Sequence, residues 1–199
     1  MGATTFALAE RLAVAEGPRR VESRVFHAVN GAPEWLYPVL WGPMQLGNLV
    51  VGAVVALAVA LLGRHPKVAV AALAAVGLKL VVERIIRDRL TADLDRQRPG
   101  TSQVDAILRG DVPVSGHSFP SGHVILVAAL AAVLTPMLPR RWSVLPWAAV
   151  GLVAVGRVYV GAHNPLDVTA GLGIGLTVGS LLDVALGDEH HHPSRTAQT

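Results

Sequence analysis

Apolar positions fill this chain in long blocks, and charged ones cluster between them. No residue from 35 to 63 is charged, and 46–62 is almost purely aliphatic, which predicts a first membrane-spanning helix. Pro38 and Pro43 fall in its first part and each removes a backbone donor, so that part is expected to bend or break. A short turn over 63–67 leads into a second apolar run, 68–82, which continues into Glu83, Arg84, Ile85, Ile86 and Arg87. Lys79, Glu83 and Arg87 recur at every fourth position and so share one helix face. A charge turned to lipid at a helix centre costs about 2.5–3.5 kcal/mol on insertion scales, so this face is expected to border a polar cavity. For Lys79 and Glu83, a self-neutralising ion-pair ladder is the other reading.

Residues 88–120 are rich in Asp, Arg, Gly and Pro, too polar for hydrocarbon, and read as an extramembrane loop or short helical cap. Further spans are predicted from 121 to just before Pro139, over 142–159 and over 164–186. The last carries Gly171, Gly175 and Gly179, a small-xxx-small spacing that lets another helix approach closely. The first thirty residues mix Glu10, Arg11, Glu16, Arg19, Arg20, Glu22 and Arg24 with apolar positions, too charged for a secretory signal core and suited to an amphipathic surface helix. The pattern therefore predicts an all-α, polytopic membrane bundle with about five spanning helices. Residues 1–34 form its interfacial amphipathic segment, 35–187 the transmembrane domain and 188–199 a disordered tail.

Composition agrees: of 199 residues 52% are hydrophobic and 16% charged, and the mean hydropathy is +0.48, too apolar for a soluble domain of this length. The absence of cysteine excludes disulfides, thiolate metal sites and cysteine nucleophiles. The net charge of +3 is modest, but arginines concentrate between Arg84 and Arg109. That cluster suits an anionic ligand or headgroup, with ordinary juxtamembrane basic residues as the plain alternative, and no nucleic-acid recognition motif accompanies it.

Five spans place the 88–120 loop, the head of span three and the turn before span five on one side of the membrane. Arg98-Pro99, Pro120-Ser121-Gly122-His123, and Arg157 with His163 and Asp167 then meet at a single surface. Ser121 is placed to cap a helix, and Gly122 leaves the free amides there open to an anion, a phosphate cradle with His123 at its rim. Taken alone, a serine-capped helix beside a histidine is as often structural as functional. Asn164 and Pro165 read as the cap and first position of span five, putting Asp167 one turn beyond His163. A carboxylate on one imidazole nitrogen fixes the tautomer and leaves the other nitrogen to attack, while Arg157 offers its planar fork to phosphate oxygens.

These residues resemble the type 2 phosphatidic acid phosphatase superfamily (PAP2), which includes polyprenyl-pyrophosphate phosphatases and, more distantly, vanadium haloperoxidases. The resemblance spans residues 79–186, with the second motif intact at 120–123 and the third as Arg157, His163 and Asp167, Gly156 standing where a serine is frequent. The first motif departs: the position seven before Arg98, where the family has lysine, is Thr91. Arg87 is assigned that role, with Arg89, Arg96 and Lys79 as alternatives.

The resemblance and the local chemistry together imply a lipid-phosphate or polyprenyl (pyro)phosphate phosphatase. His163 is the nucleophile, Asp167 its partner and His123 the acid–base group. Arg98, Arg157, Arg87 and the amides of Ser121 and Gly122 hold the phosphate, with no metal or other cofactor. A phosphotransferase on the same scaffold and a non-catalytic lipid-phosphate binder or transporter are the alternatives. The basic turns at Arg64–Lys67 and Arg140–Arg141 lie opposite the site, which places a plasma-membrane enzyme's active site on the extracytoplasmic face. The expected partners are the lipid phosphate and the bilayer, not nucleic acid; oligomeric state is left open.

Overall fold

The computed structural model describes residues 2–14, 20–64, 66–90 and 96–186. The tail over 188–199 and Thr91 lie outside the described residues, as do the side chains of Arg87 and Arg89. Among the described residues the fold is all-helical: α1 (Gly2–Val14), α2 (Arg20–Asn30), α3 (Leu36–Met44), α4 (Leu49–Leu62), α5 (Pro66–Leu90), α6 (Pro99–Ser102), α7 (Gly122–Leu134), α8 (Val144–Tyr159) and α9 (Pro165–Leu186).

The sequence of α7, GHVILVAALAAVL, is apolar on every side, and a helix of that kind must be surrounded. It forms the centre of the bundle, its residues from Val124 to Ala131 all buried, with α4, α5, α8 and α9 packed around it. The glycine stripe of α9 makes the closest of these approaches. A Cβ at Gly171 would stand 2.7 Å from the Ser121 carbonyl oxygen, and one at Gly175 2.5 Å from that of Ile125. The outer surface remains apolar, with Val50, Val54, Leu61, Leu73, Val155 and Leu181 exposed, a patchwork that in a water-soluble protein would be an aggregation liability.

Pro165–Ala185 is a helix long and apolar enough to cross a membrane, and the residues over 122–137 and 144–159 form shorter apolar helices. The first predicted span is broken: α3 and α4 meet at 74°. The break falls later than Pro38 and Pro43 suggest. Pro38 sits in the first turn of α3, where its missing N–H has no helical partner to lose. The chain tightens into one 3-10 turn at Gln45–Gly47, and Asn48 then caps α4, its Oδ1 accepting from the amides of Val50 (3.0 Å) and Val51 (3.4 Å).

The N-terminal segment is more integrated than an amphipathic surface helix would be. α1 packs along α9, with a Cβ at Gly173 only 2.6 Å from the Phe6 amide nitrogen, and α2 buries Glu22, Phe26 and Asn30. Asn30 pins the polar loop in place: it donates to the carbonyls of Ile107 (2.8 Å) and Tyr159 (2.9 Å) and accepts from the Ile107 amide (2.8 Å). Arg109 does the same from the loop side, donating to the carbonyls of Asn30 and Tyr159 at 2.7 Å and lying 4.1 Å above the Tyr159 ring centre.

Candidate active site

A short turn carries the third motif. After α8 the chain reverses at Gly161, whose φ of +76° is open to glycine and where a Cβ would stand 2.8 Å from the Ile107 carbonyl oxygen. The Arg157 carbonyl then accepts from the amides of Ala162 (3.0 Å) and His163 (3.2 Å), folding His163 back over the end of the helix that bears Arg157. The spacing between the two residues is thus the length of one capped reversal. Gly156 has a packing reason as well, since a Cβ there would meet Met44 of α3 at 2.6 Å.

His163, His123, Arg98 and Arg157 line one cavity of about 730 Å³, together with Gly122, Lys79 and Glu83. The three polar segments are therefore gathered around a shared hollow. Tyr37 and Trp41 of α3 and the loop residues Asp111 and His117 complete its walls. Arg98 donates to the Ala162 carbonyl at 3.0 Å, tying the first-motif arginine to the His163 turn. Among the described residues, the Nε of Arg157 is buried without a hydrogen-bond partner, a donor beside a cavity that has room for an anion.

The His163 ring is held differently from the sequence expectation. Its Nδ1 lies 2.8 Å from the Ser118 carbonyl oxygen, which only accepts, so Nδ1 carries the proton and Nε2 keeps its lone pair. Asp167 stands 3.7 Å from Nδ1, beyond hydrogen-bond distance, and acts on the ring through its charge. Its Oδ2 instead accepts from the Asn164 amide at 2.8 Å, reaching back across the first turn of α9. Burial holds the His163 pKa below the ordinary histidine value, and the nearby guanidiniums of Arg157 and Arg98 act in the same direction, together outweighing the Asp167 carboxylate.

Asp167 is itself anchored by residues that the motif reading did not include. Arg96 Nε donates to Asp167 Oδ1 at 2.6 Å, and the same guanidinium pairs with Glu22 of α2, all three side chains being buried. Glu22 Oε1 also accepts from the Leu166 amide at 2.9 Å. Burial works against the charge on Arg96, but Asp167 and Glu22 more than offset it, and its pKa is raised. Arg96 is thereby committed to Asp167 and Glu22, away from the first-motif lysine role.

The remaining sequence candidates divide. Lys79 lines the cavity and pairs with Glu83 at 2.6 Å, so the inward face and the ion-pair ladder are both present. Arg87 lies on α5, but its side chain is outside the described residues. Ser121 departs from its expected part: its amide donates to the Asp167 carbonyl at 3.0 Å, and its buried hydroxyl makes no cap bond. Gly122 does border the cavity, with the Glu83 carboxylate 2.7 Å from where its Cβ would be.

A family model described as the PAP2 superfamily matches residues 67–187. An undecaprenyl-diphosphatase of Sulfolobus acidocaldarius is 40% identical over 65 residues, covering 33% of this chain and 32% of its own length. A decaprenylphosphoryl-5-phosphoribose phosphatase of Mycobacterium tuberculosis is 32% identical over 108 residues, 53% of this chain and 52% of its own. The matched part thus spans between about a third and a half of these relatives. The crystal structure of a transmembrane PAP2-type phosphatidylglycerolphosphate phosphatase from Bacillus subtilis superposes with a TM-score of 0.70 at 25% identity, over 98% of both chains.

Proposed function

The chain belongs to the PAP2 superfamily, and from that premise we propose that it is an integral-membrane phosphatase acting on a lipid phosphate or polyprenyl (pyro)phosphate. The observation that carries this reading is the single cavity in which His163, His123, Arg98 and Arg157 meet, His163 being held by Ser118 with its second nitrogen unprotonated. Nε2 attacks phosphorus and forms a phosphohistidine as the bond to the leaving oxygen breaks, and His123 gives that oxygen a proton. Water, deprotonated by His123, then attacks phosphorus, and the N–P bond breaks to release phosphate and restore the imidazole. The guanidiniums of Arg98 and Arg157, with Arg87 in the first-motif lysine role and Lys79, which lines the cavity, as its alternative, neutralise the transferring group, each charge-assisted contact contributing about 1.5–3 kcal/mol. These fixed cations do the work a metal would otherwise do, so turnover in chelator is expected to match turnover without it.

The exposed apolar flanks and the transmembrane relative support a membrane location, which in this proposal the chain crosses about five times, and the basic turns opposite the site support an extracytoplasmic active site. The test is phosphate release from purified protein in detergent, over a panel of phosphatidate, phosphatidylglycerol phosphate, polyprenyl mono- and diphosphates and a prenyl-linked sugar phosphate. His163→Ala is expected to abolish both turnover and trapping of a labelled phosphoenzyme. His123→Ala is expected to retain trapping with substrates whose leaving group is good. Near-normal turnover by His163→Ala would refute the mechanism.

A further inference from the structure

Building on the phosphatase reading, we propose that the hydrocarbon chain of the substrate lies in a second cavity, immediately below the phosphate cavity and walled by α4, α7 and α8. This second cavity has a volume of about 310 Å³, and every residue lining it is apolar, among them Leu46, Val59, Val127, Leu130, Leu134 and Ala149. Its position relative to the site follows from helix geometry. Asn48, which caps α4, and His123 in the first turn of α7 both border the polar cavity. One turn further along each helix, Gly52 and Val127 border the apolar one. The boundary between polar and apolar lining therefore falls at the same depth on both walls.

On α7, His123, Val127, Leu130 and Leu134 follow one another along a single face, so the proposed proton donor and the groove share one stripe. From His123 to Leu134 that stripe covers eleven helical rises, about 16 Å, a length suited to an extended alkyl or prenyl chain. The 3-10 turn at Gln45–Gly47 stands between the two cavities: Gln45 lines the polar one, Leu46 lines the groove, and a Cβ on Gly47 would stand 2.7 Å from His123 Cβ. A lipid whose phosphate sits among Arg98, Arg157 and His163 has this groove as the apolar path that begins beside its leaving oxygen. Lipid tails are as apolar as the groove, so little hydrophobic driving force distinguishes it from the bilayer, and its effect is to register the phosphorus against His163.

Val59→Phe and Ala149→Phe test this, because both positions are half-buried at the groove and tolerate a larger side chain better than the buried residues of α7. Val54→Phe, on the same helix but exposed and away from the groove, is the control. Phosphate release would be measured for dipalmitoyl and dihexanoyl phosphatidate in detergent. The groove variants are expected to lose about tenfold or more in kcat/KM on the long-chain substrate, as misregistered reactants do, and to keep parent values on the short one, with the control unchanged on both. Equal loss on both substrates, or no loss on either, would overturn the assignment. Absence of phosphate release by the parent chain from every substrate would overturn the reaction on which the groove depends.

Discussion

In the proposed mechanism His163 attacks only as a neutral ring, and burial, which lowers its pKa, favours that form. Because its pKa is lowered, the acid limb of kcat/KM is expected below the ordinary histidine value of about 6.5. The Asp167 carboxylate is the contribution that raises this pKa, so in Asp167→Asn the limb should move further down while the maximal rate falls. A parent limb at or above the ordinary value would contradict the buried neutral imidazole. Arg96 and Glu22 secure that carboxylate, and Arg96→Gln leaves Asp167 buried without its cation, a change of the kind that costs about 3–5 kcal/mol. Thermal melting in detergent should show a large loss of stability, and kcat should drop with KM near the parent value. Glu22→Gln, which keeps the Arg96–Asp167 contact, should lose less of each. The four motif residues were legible because helix starts and short turns fix their spacing. Ser118, Arg96 and Glu22 were not, since their contacts join positions 45 to 144 residues apart and leave no local pattern to read.

Among the helices, what the sequence disclosed depended on whether the cause was local. The glycines of α9 announced a close approach, and α7 fills it: beyond Gly171 and Gly175, a Cβ at Gly179 would clash with that of Ala132. Gly175→Leu is therefore expected to lower stability by about 1–3 kcal/mol or more through overpacking, read as a fall in melting temperature. A neutral result would mean that α9 stands off from α7. The α3–α4 break was foreseen as an effect of proline but misplaced. Its position is fixed by the 3-10 turn at Gln45–Gly47, where Gly47 packs against His123, and by the Asn48 cap, a tertiary cause that proline counting cannot supply.

At the scale of the whole molecule, one end of the bundle is polar and the other is marked by basic turns. α7 and α9 begin at the cavity and α8 returns to it, so the turn carrying Arg140 and Arg141 lies at the far end. The turn between α4 and α5 lies there too, since α4 leaves the cavity at Asn48 and α5 comes back to it with Lys79 and Glu83. Basic residues of short loops favour the cytoplasm, whereas the arginines of the cavity end are engaged with carboxylates, carbonyls and the proposed phosphate and should not be counted toward orientation. In the proposed orientation the cavity faces out of the cytoplasm, and the far end of α9, which runs away from it, lies inside. A reporter fused after Thr199 is expected to be active only in its cytoplasmic form; an extracytoplasmic signal would invert the assignment, putting the proposed phosphohistidine chemistry on the inner leaflet and leaving the intramolecular geometry of the site unchanged.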